Sequence, residues 1–132
     1  MKDIYQRHVP LFYIAAAYNL MGAAVPLLAT ELHLKTFFTE QAASSGVIME
    51  MNTQAFWVTV FFFAVGYFMV GRDPKKNRPI LWIAAPGKAY VFVLWTWHYM
   101  QGNVTEMALA AGIGDIIFAL LFLRFLLKTR EP

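Results

Sequence analysis

Residues 80–127 read ILWIAAPGKAYVFVLWTWHYM-QGNV-TEMALAAGIGDIIFALLFLRFLL. Two apolar runs, Ile80–Met100 and Thr105–Leu127, flank a short polar turn at Gln101-Gly102-Asn103. A helix needs about 20 apolar residues to cross ~30 Å of hydrocarbon, and each run has that length. Neither run alternates polar with apolar residues, which argues against strands. In lipid only helices and closed barrels satisfy every backbone N–H and C=O. So short a turn forces the two helices to run antiparallel, side by side.

Two more segments of the same kind lie upstream, at about Leu11–Ala29 and Thr53–Val70. The expected fold is therefore all-α, an antiparallel bundle of four transmembrane helices in a single domain, 1–132. Composition agrees. Of the 132 residues, 59% are hydrophobic and 14% charged, whereas a soluble domain carries roughly 25% charge. The sequence has no cysteine, which excludes disulfides, thiolate metal sites and iron–sulfur clusters. The first apolar segment exceeds the ~7–15 residues of a signal-peptide core and ends on a poor cleavage site, so it reads as a retained helix.

Local chemistry sets the boundaries. Gly71-Arg72-Asp73-Pro74 stops the second span, and Pro79 suits the first turn of the third. Asn103 with Glu106 three residues later resembles a capping box for the fourth. Pro26 and Pro86 lie inside spans, where each frees a carbonyl and favours a kink.

Orientation follows from lysine and arginine. Lys2, Arg7, Arg72, Lys75, Lys76, Arg78, Arg124, Lys128 and Arg130 fall on one side and Lys35 alone on the other. Both termini are thus expected in the cytoplasm. Trp57, Trp95 and Trp97 are expected in the outer aromatic belt and Trp82 in the inner one. The long outer loop, Thr30–Asn52, carries Leu32, Leu34, Phe37 and Phe38. It reads either as a short helix on the membrane or as an ordered loop capping the bundle. Asn103-Val104-Thr105 matches a glycosylation sequon too close to the membrane to carry weight. The basic 72–78 loop suits anionic lipid, but topology already explains it.

Charges inside a membrane are costly and usually face the bundle interior. Lys88 and Asp115 are the deep ones. Counted at ~1.5 Å per residue along adjacent antiparallel helices, their depths differ by about one turn, so an ion pair is easy. Asn19 lies at nearly the depth of Lys88, with Tyr18 beside it. Tyr67 is shallower and Thr59 deeper on the second span. Residues three or four apart share a helix face. Asn19 thus shares its face with Ala15, Ala16, Gly22 and Ala23, Lys88 with Ala84 and Ala85, and Asp115 with Ala111, Gly112 and Ala119. Small residues allow close helix approach. The Phe61-Phe62-Phe63 run is left for lipid or a partner. The candidate site is therefore Tyr18, Asn19, Tyr67, Lys88 and Asp115. Three readings are open: a fixed ion pair that sets helix register, a pocket for a head group, quinone-like ring or proton, or a pair completed by another subunit.

His98 and Glu106, across the 101–103 turn, are weak metal candidates, and two ligands do not make a site. His33 and Glu50 on the outer loop are further candidates to join them. No cofactor is expected: a lone interfacial His98 is poor support for haem, and no P-loop, nucleophile elbow or zincin motif occurs.

Tyr18-Asn19-Leu20 with Gly22, Gly66-Tyr67 followed by Arg72-Asp73-Pro74, Gly87-Lys88, and Gly114-Asp115 occur in that order. Together they resemble small, uncharacterised four-helix proteins of the bacterial inner membrane, loosely DoxX-like. DoxX-like proteins are associated with quinone-linked redox complexes as small subunits, so the resemblance implies an accessory role. The chain departs from that role by carrying no redox motif.

Three functions follow as expectations. The first is a non-catalytic accessory subunit or a module binding lipid or a quinone-like ligand. Its partners would be membrane lipid and a larger complex or a second copy, with no nucleic acid. The second is a small proton-coupled transporter that uses Lys88 and Asp115. The third is an intramembrane enzyme acting on a hydrophobic substrate.

Overall fold

A computed structural model describes residues 3–42 and 46–130; Lys2 of the charge argument lies outside them. The elements are α1 (Ile4–Leu28), α2 (Thr30–Phe37), α3 (Val47–Arg72), α4 (Pro79–Met100) and α5 (Glu106–Lys128). Among the described residues, α1, α3, α4 and α5 are long and apolar enough to cross a membrane. Their outward faces suit hydrocarbon: Ile14, Leu28, Phe62, Ile83, Val93 and Leu120 are all exposed. In water each such side chain would forfeit roughly 1.5–3 kcal/mol of burial.

Two helices begin earlier than their apolar runs. α1 starts at Ile4 rather than Leu11, because Tyr5 and His8 pack their rings on Phe125 of α5. α3 starts at Val47, entered through Gly46 at φ 152, a backbone conformation that suits glycine. Its first turn is exposed, so helical hydrogen bonding rather than burial carries it there.

The long loop does contain a helix. Ala29 alone breaks the helical path, at φ −143 and ψ 63, and α2 leaves from it at a sharp corner. The Thr30 hydroxyl donates to the Pro26 carbonyl across the corner (2.8 Å). α2 exposes Glu31, Leu32 and Lys35 and buries His33, so it caps the bundle with one face. Its far end is stitched to the chain before α5. Phe38 bridges Val104, the Thr105 N–H donates to the Phe37 carbonyl (2.9 Å) and the Thr105 hydroxyl to the Thr36 carbonyl (2.5 Å).

That stitching overturns the expected capping box. Thr105, not Asn103, is the N-cap of α5, and it makes no side-chain cap. Its hydroxyl is committed to α2, while the Asn103 amide donates to His98 Nδ1 (3.1 Å). A tertiary partner has displaced the local one.

α1 packs closely on α3, and α4 on α5. Between these two pairs the space is filled by large rings, with Phe12 against Phe122 and Phe125, and Tyr67 against Phe122. This forms one core at the end where α1 begins and α5 finishes, with Leu81, Ala84 and Leu126. Arg78 closes that end by donating to Thr129 Oγ1 (2.9 Å) and to the Leu126 carbonyl (2.6 Å). A guanidinium there meets the negative end of the α5 dipole. A second, smaller core at the α2 end holds Trp95, Val104 and Ala108 with Phe37, Phe38 and Phe56.

Two of the four tryptophans depart from the expected belt. Trp82 and Trp97 are exposed, but Trp57 and Trp95 are buried inside the α2 end. Of the Phe61-Phe62-Phe63 run, Phe61 and Phe62 face outward while Phe63 packs inward.

A polar layer and a cavity between the two cores

The polar residues expected at one depth do meet. Lys88 on α4 is 6% exposed, and its Nζ lies 2.5 Å from Asp115 Oδ1 on α5. The same Nζ donates to Asn19 Oδ1 on α1 (2.9 Å). The Asn19 amide in turn donates to the Val60 carbonyl of α3 (3.2 Å). One chain of contacts thus ties all four long helices together. Removing Asn19 would break it in the middle.

Aromatic rings complete the layer. Lys88 Nζ sits 5.3 Å from the Tyr18 ring, 5.6 Å from Tyr67 and 5.5 Å from Phe118, within reach of cation–π attraction. The Tyr18 hydroxyl donates to the Ala111 carbonyl of α5 (2.7 Å). Small residues make room: Ala15, Ala84, Gly112 and Ala119 are all buried on the expected faces. Gly112 takes the Trp95 side chain against its backbone, and Gly114 takes Tyr18.

The layer is the floor of a cavity of about 690 Å³, within the ≈ 300–1,000 Å³ of small-molecule sites. Tyr18, Asn19, Tyr67, Lys88 and Asp115 all line it. Its walls are mainly apolar, from Phe56, Val60, Phe63, Val91 and Trp95, and its roof is His33, Thr36, Phe37 and Trp57. Along α4, the helix rise puts the wall residue Trp95 roughly 10 Å from Lys88 in the floor. Lys88 and Asp115 neutralise each other, so the floor offers hydrogen bonds and rings rather than a net charge.

The roof contains what sequence reasoning missed. His33 is 1% exposed, and its Nε2 accepts the Trp57 indole N–H (3.0 Å). The ring packs on Phe37 and Trp57. The i, i+4 spacing of His33 and Phe37 in α2 was a signal for a shared face, though not for its partner.

Burial pushes the His33 imidazole from its ordinary 6.5 down to about 4. Protonation would also set an N–H on Nε2 against the Trp57 donor. The unfolded or undocked state therefore binds the proton more readily between those values. Docking of α2 is fully present above about pH 6.5 and weakens as pH falls toward 4. Trp57 emission, isolated by subtracting a Trp57→Phe variant, is expected to shift to the red over that window.

The other candidates do not assemble. His98 pairs with Asn103, and Glu106 is exposed. Glu50 accepts from Gln54 instead of approaching His33. Among the described residues no group of three or more His, Cys, Asp or Glu is placed to hold a metal ion. Comparison with protein-family models, with curated proteins and with solved structures finds no match.

Proposed function

We propose that this chain is an integral protein of the bacterial inner membrane that binds an apolar small molecule, such as a lipid or a quinone-like compound, within its own bundle. In this reading the helices run antiparallel, both termini are cytoplasmic and the α2 roof lies on the outer side, as the lysine and arginine distribution supports. The molecule acts as bound cargo or as a link to a larger membrane complex, the accessory role that the DoxX resemblance implies. No residue is assigned a catalytic part.

One observation carries the proposal: the cavity between the helix pairs ends on the buried polar layer. A pair needed only for helix register has no use for so large a space beside it. Close packing, as in the terminal core, would be the better solution for register alone. An apolar body with a polar end fits the walls and the floor together.

Gly87 supplies the test. It lines the cavity, and a Cβ built there meets nothing within 4 Å. Gly87→Leu is expected to occupy the space without straining the fold. Protein purified in mild detergent should yield a lipid-soluble molecule on solvent extraction. The Gly87→Leu variant should yield several-fold less, at unchanged or slightly raised thermal stability. Equal yields from both proteins, or none from either, would refute the proposal.

A further inference from the structure

The floor of the cavity keeps one acceptor that the protein does not use. Lys88 Nζ occupies Asp115 Oδ1 at 2.5 Å, and Asp115 Oδ2 makes no hydrogen bond among the described residues. Oδ2 is not sealed off either. Among those residues only His33 Nδ1 and Thr96 Oγ1 are fully buried side-chain atoms without a partner, and the Asp115 side chain is 16% exposed. That surface opens onto the cavity, which Asp115 lines. The lipid side of α5 is elsewhere, marked by the exposed Ile113 and Ile117. Each is two residues from Asp115, about 200° around the helix at ~3.6 residues per turn.

A carboxylate oxygen accepts and does not donate. With the Lys88 ammonium on Oδ1 the charge of Asp115 is balanced, and Oδ2 is left to take an O–H or N–H. Such a bond to an ionised acceptor is stronger than one between neutral partners, and stronger in an apolar enclosure than in water. The walls formed by Phe56, Val60, Phe63 and Val91 supply no donor.

A molecule dissolved in the bilayer also has a way in. Met21 of α1 and Met107 of α5 line the cavity and are exposed on the outside of the bundle. They lie three and four residues from Tyr18 and Ala111, whose hydrogen bond (2.7 Å) joins the two helices, and both on the side nearer α2. The two thioethers thus flank one gap in the α1–α5 seam, about a turn from the polar layer. Close helix packing pairs α1 with α3 and α4 with α5, which leaves this seam to side chains. Methionine, unbranched and adaptable, yields readily.

We propose that the cavity takes a membrane-soluble amphiphile with a neutral hydroxyl head (a long-chain alcohol, an acylglycerol or a quinol), which enters between Met21 and Met107 and donates its O–H to Asp115 Oδ2. The assignment rests on the ligand-binding reading of the cavity and narrows it to heads that carry a donor. An ether, ester or ketone head has no proton to give Oδ2. A fatty-acid carboxylate would set a second negative charge beside it. Asp115 is the binding residue, and Lys88 holds it in its accepting form.

Two probes with the same chain separate the ideas: 1-dodecanol and its methyl ether, titrated against full-length protein in mild detergent. Affinity is read from tryptophan emission, since Trp57 and Trp95 line the cavity. Gly87→Leu, with the space filled, gives the baseline for uptake by detergent. The Asp115 carboxylate is read by infrared difference spectroscopy on 13C-aspartate-labelled protein, which holds three aspartates; Asp3 and Asp73 lie exposed, outside the cavity. The alcohol is expected to bind about tenfold more tightly, one hydrogen bond's worth, and to shift the Asp115 band. The ether should leave that band in place. Equal affinities, or an unmoved band with the alcohol bound, would overturn the Asp115 assignment while leaving the cavity reading intact. Binding of neither probe, or equal binding by wild type and Gly87→Leu, would overturn both. The wild-type titration and spectrum decide the assignment even where Gly87→Leu does not fold.

Discussion

Lys88→Met is expected to destabilise the protein by about 3–5 kcal/mol, measured as the shift of an unfolding titration in detergent or bicelles. The size comes from what is left behind rather than from what is lost. The substitution removes the partner of Asp115, which lies 2.5 Å away, and the donor to Asn19 Oδ1. Breaking a buried pair on one side leaves an uncompensated charge, and measured costs of that kind run to 3–5 kcal/mol. A surface ion pair would cost 0–1 kcal/mol. The exposed Lys35–Glu31 pair in α2 serves as that control, and Lys35→Met should be nearly silent. The double variant Lys88→Met/Asp115→Leu separates charge burial from packing. With both charges gone, most of the lost stability should return, because apolar replacements of buried pairs are often neutral or stabilising. A double variant as unstable as the single one would show that side-chain volume, not the ion pair, matters at this layer.

How much of this was visible beforehand depends on the range of the interaction. Lys88 and Asp115 flank a short turn, and helix rise converts their positions into depths, so arithmetic alone brought them together. Asn19 followed from the same depth, and its small-residue face gave the reason for close approach. The α2 roof could not be read in this way. Whether Thr30–Phe37 lies on a membrane or folds over the bundle depends on contacts with residues 57 and 105, far along the chain. Two sequence rules failed for that reason. Trp57 and Trp95 match an interfacial belt by position, but the roof encloses them. Asn103 and Glu106 match a capping box by spacing, but Thr105 is drawn to Thr36 and Asn103 to His98. The start of α1 was missed similarly, because Tyr5 and His8 gain their burial from Phe125 of the last helix. Periodicity finds the spans. It does not find what one end of a bundle does to another segment.

The second large effect is expected at Gly114, where the sign of the change is informative. In an exposed helix interior, Gly→Ala gains roughly 0.5–1 kcal/mol, because alanine loses less backbone freedom on folding. Here the added Cβ would overlap the Tyr18 hydroxyl and lie 2.8 Å from its Cζ and 3.1 Å from Cε2. The ring has little room to retreat. It packs on Phe118 at 5.1 Å, faces the Lys88 ammonium and is held by its bond to Ala111. Overpacking of this kind costs about 1–3 kcal/mol, which outweighs the backbone gain. Gly114→Ala should therefore destabilise by about 1–2 kcal/mol. Tyr18→Phe should not relieve the strain, because Cζ remains. Tyr18→Leu should. In that background Gly114→Ala is expected to turn stabilising by up to about 1 kcal/mol, and the reversal is the coupling energy of the contact. An effect of Gly114→Ala that is the same with Tyr18 and with Leu at position 18 would mean that α1 and α5 do not meet through this pair. The polar layer would then need another explanation for how those two helices keep their register.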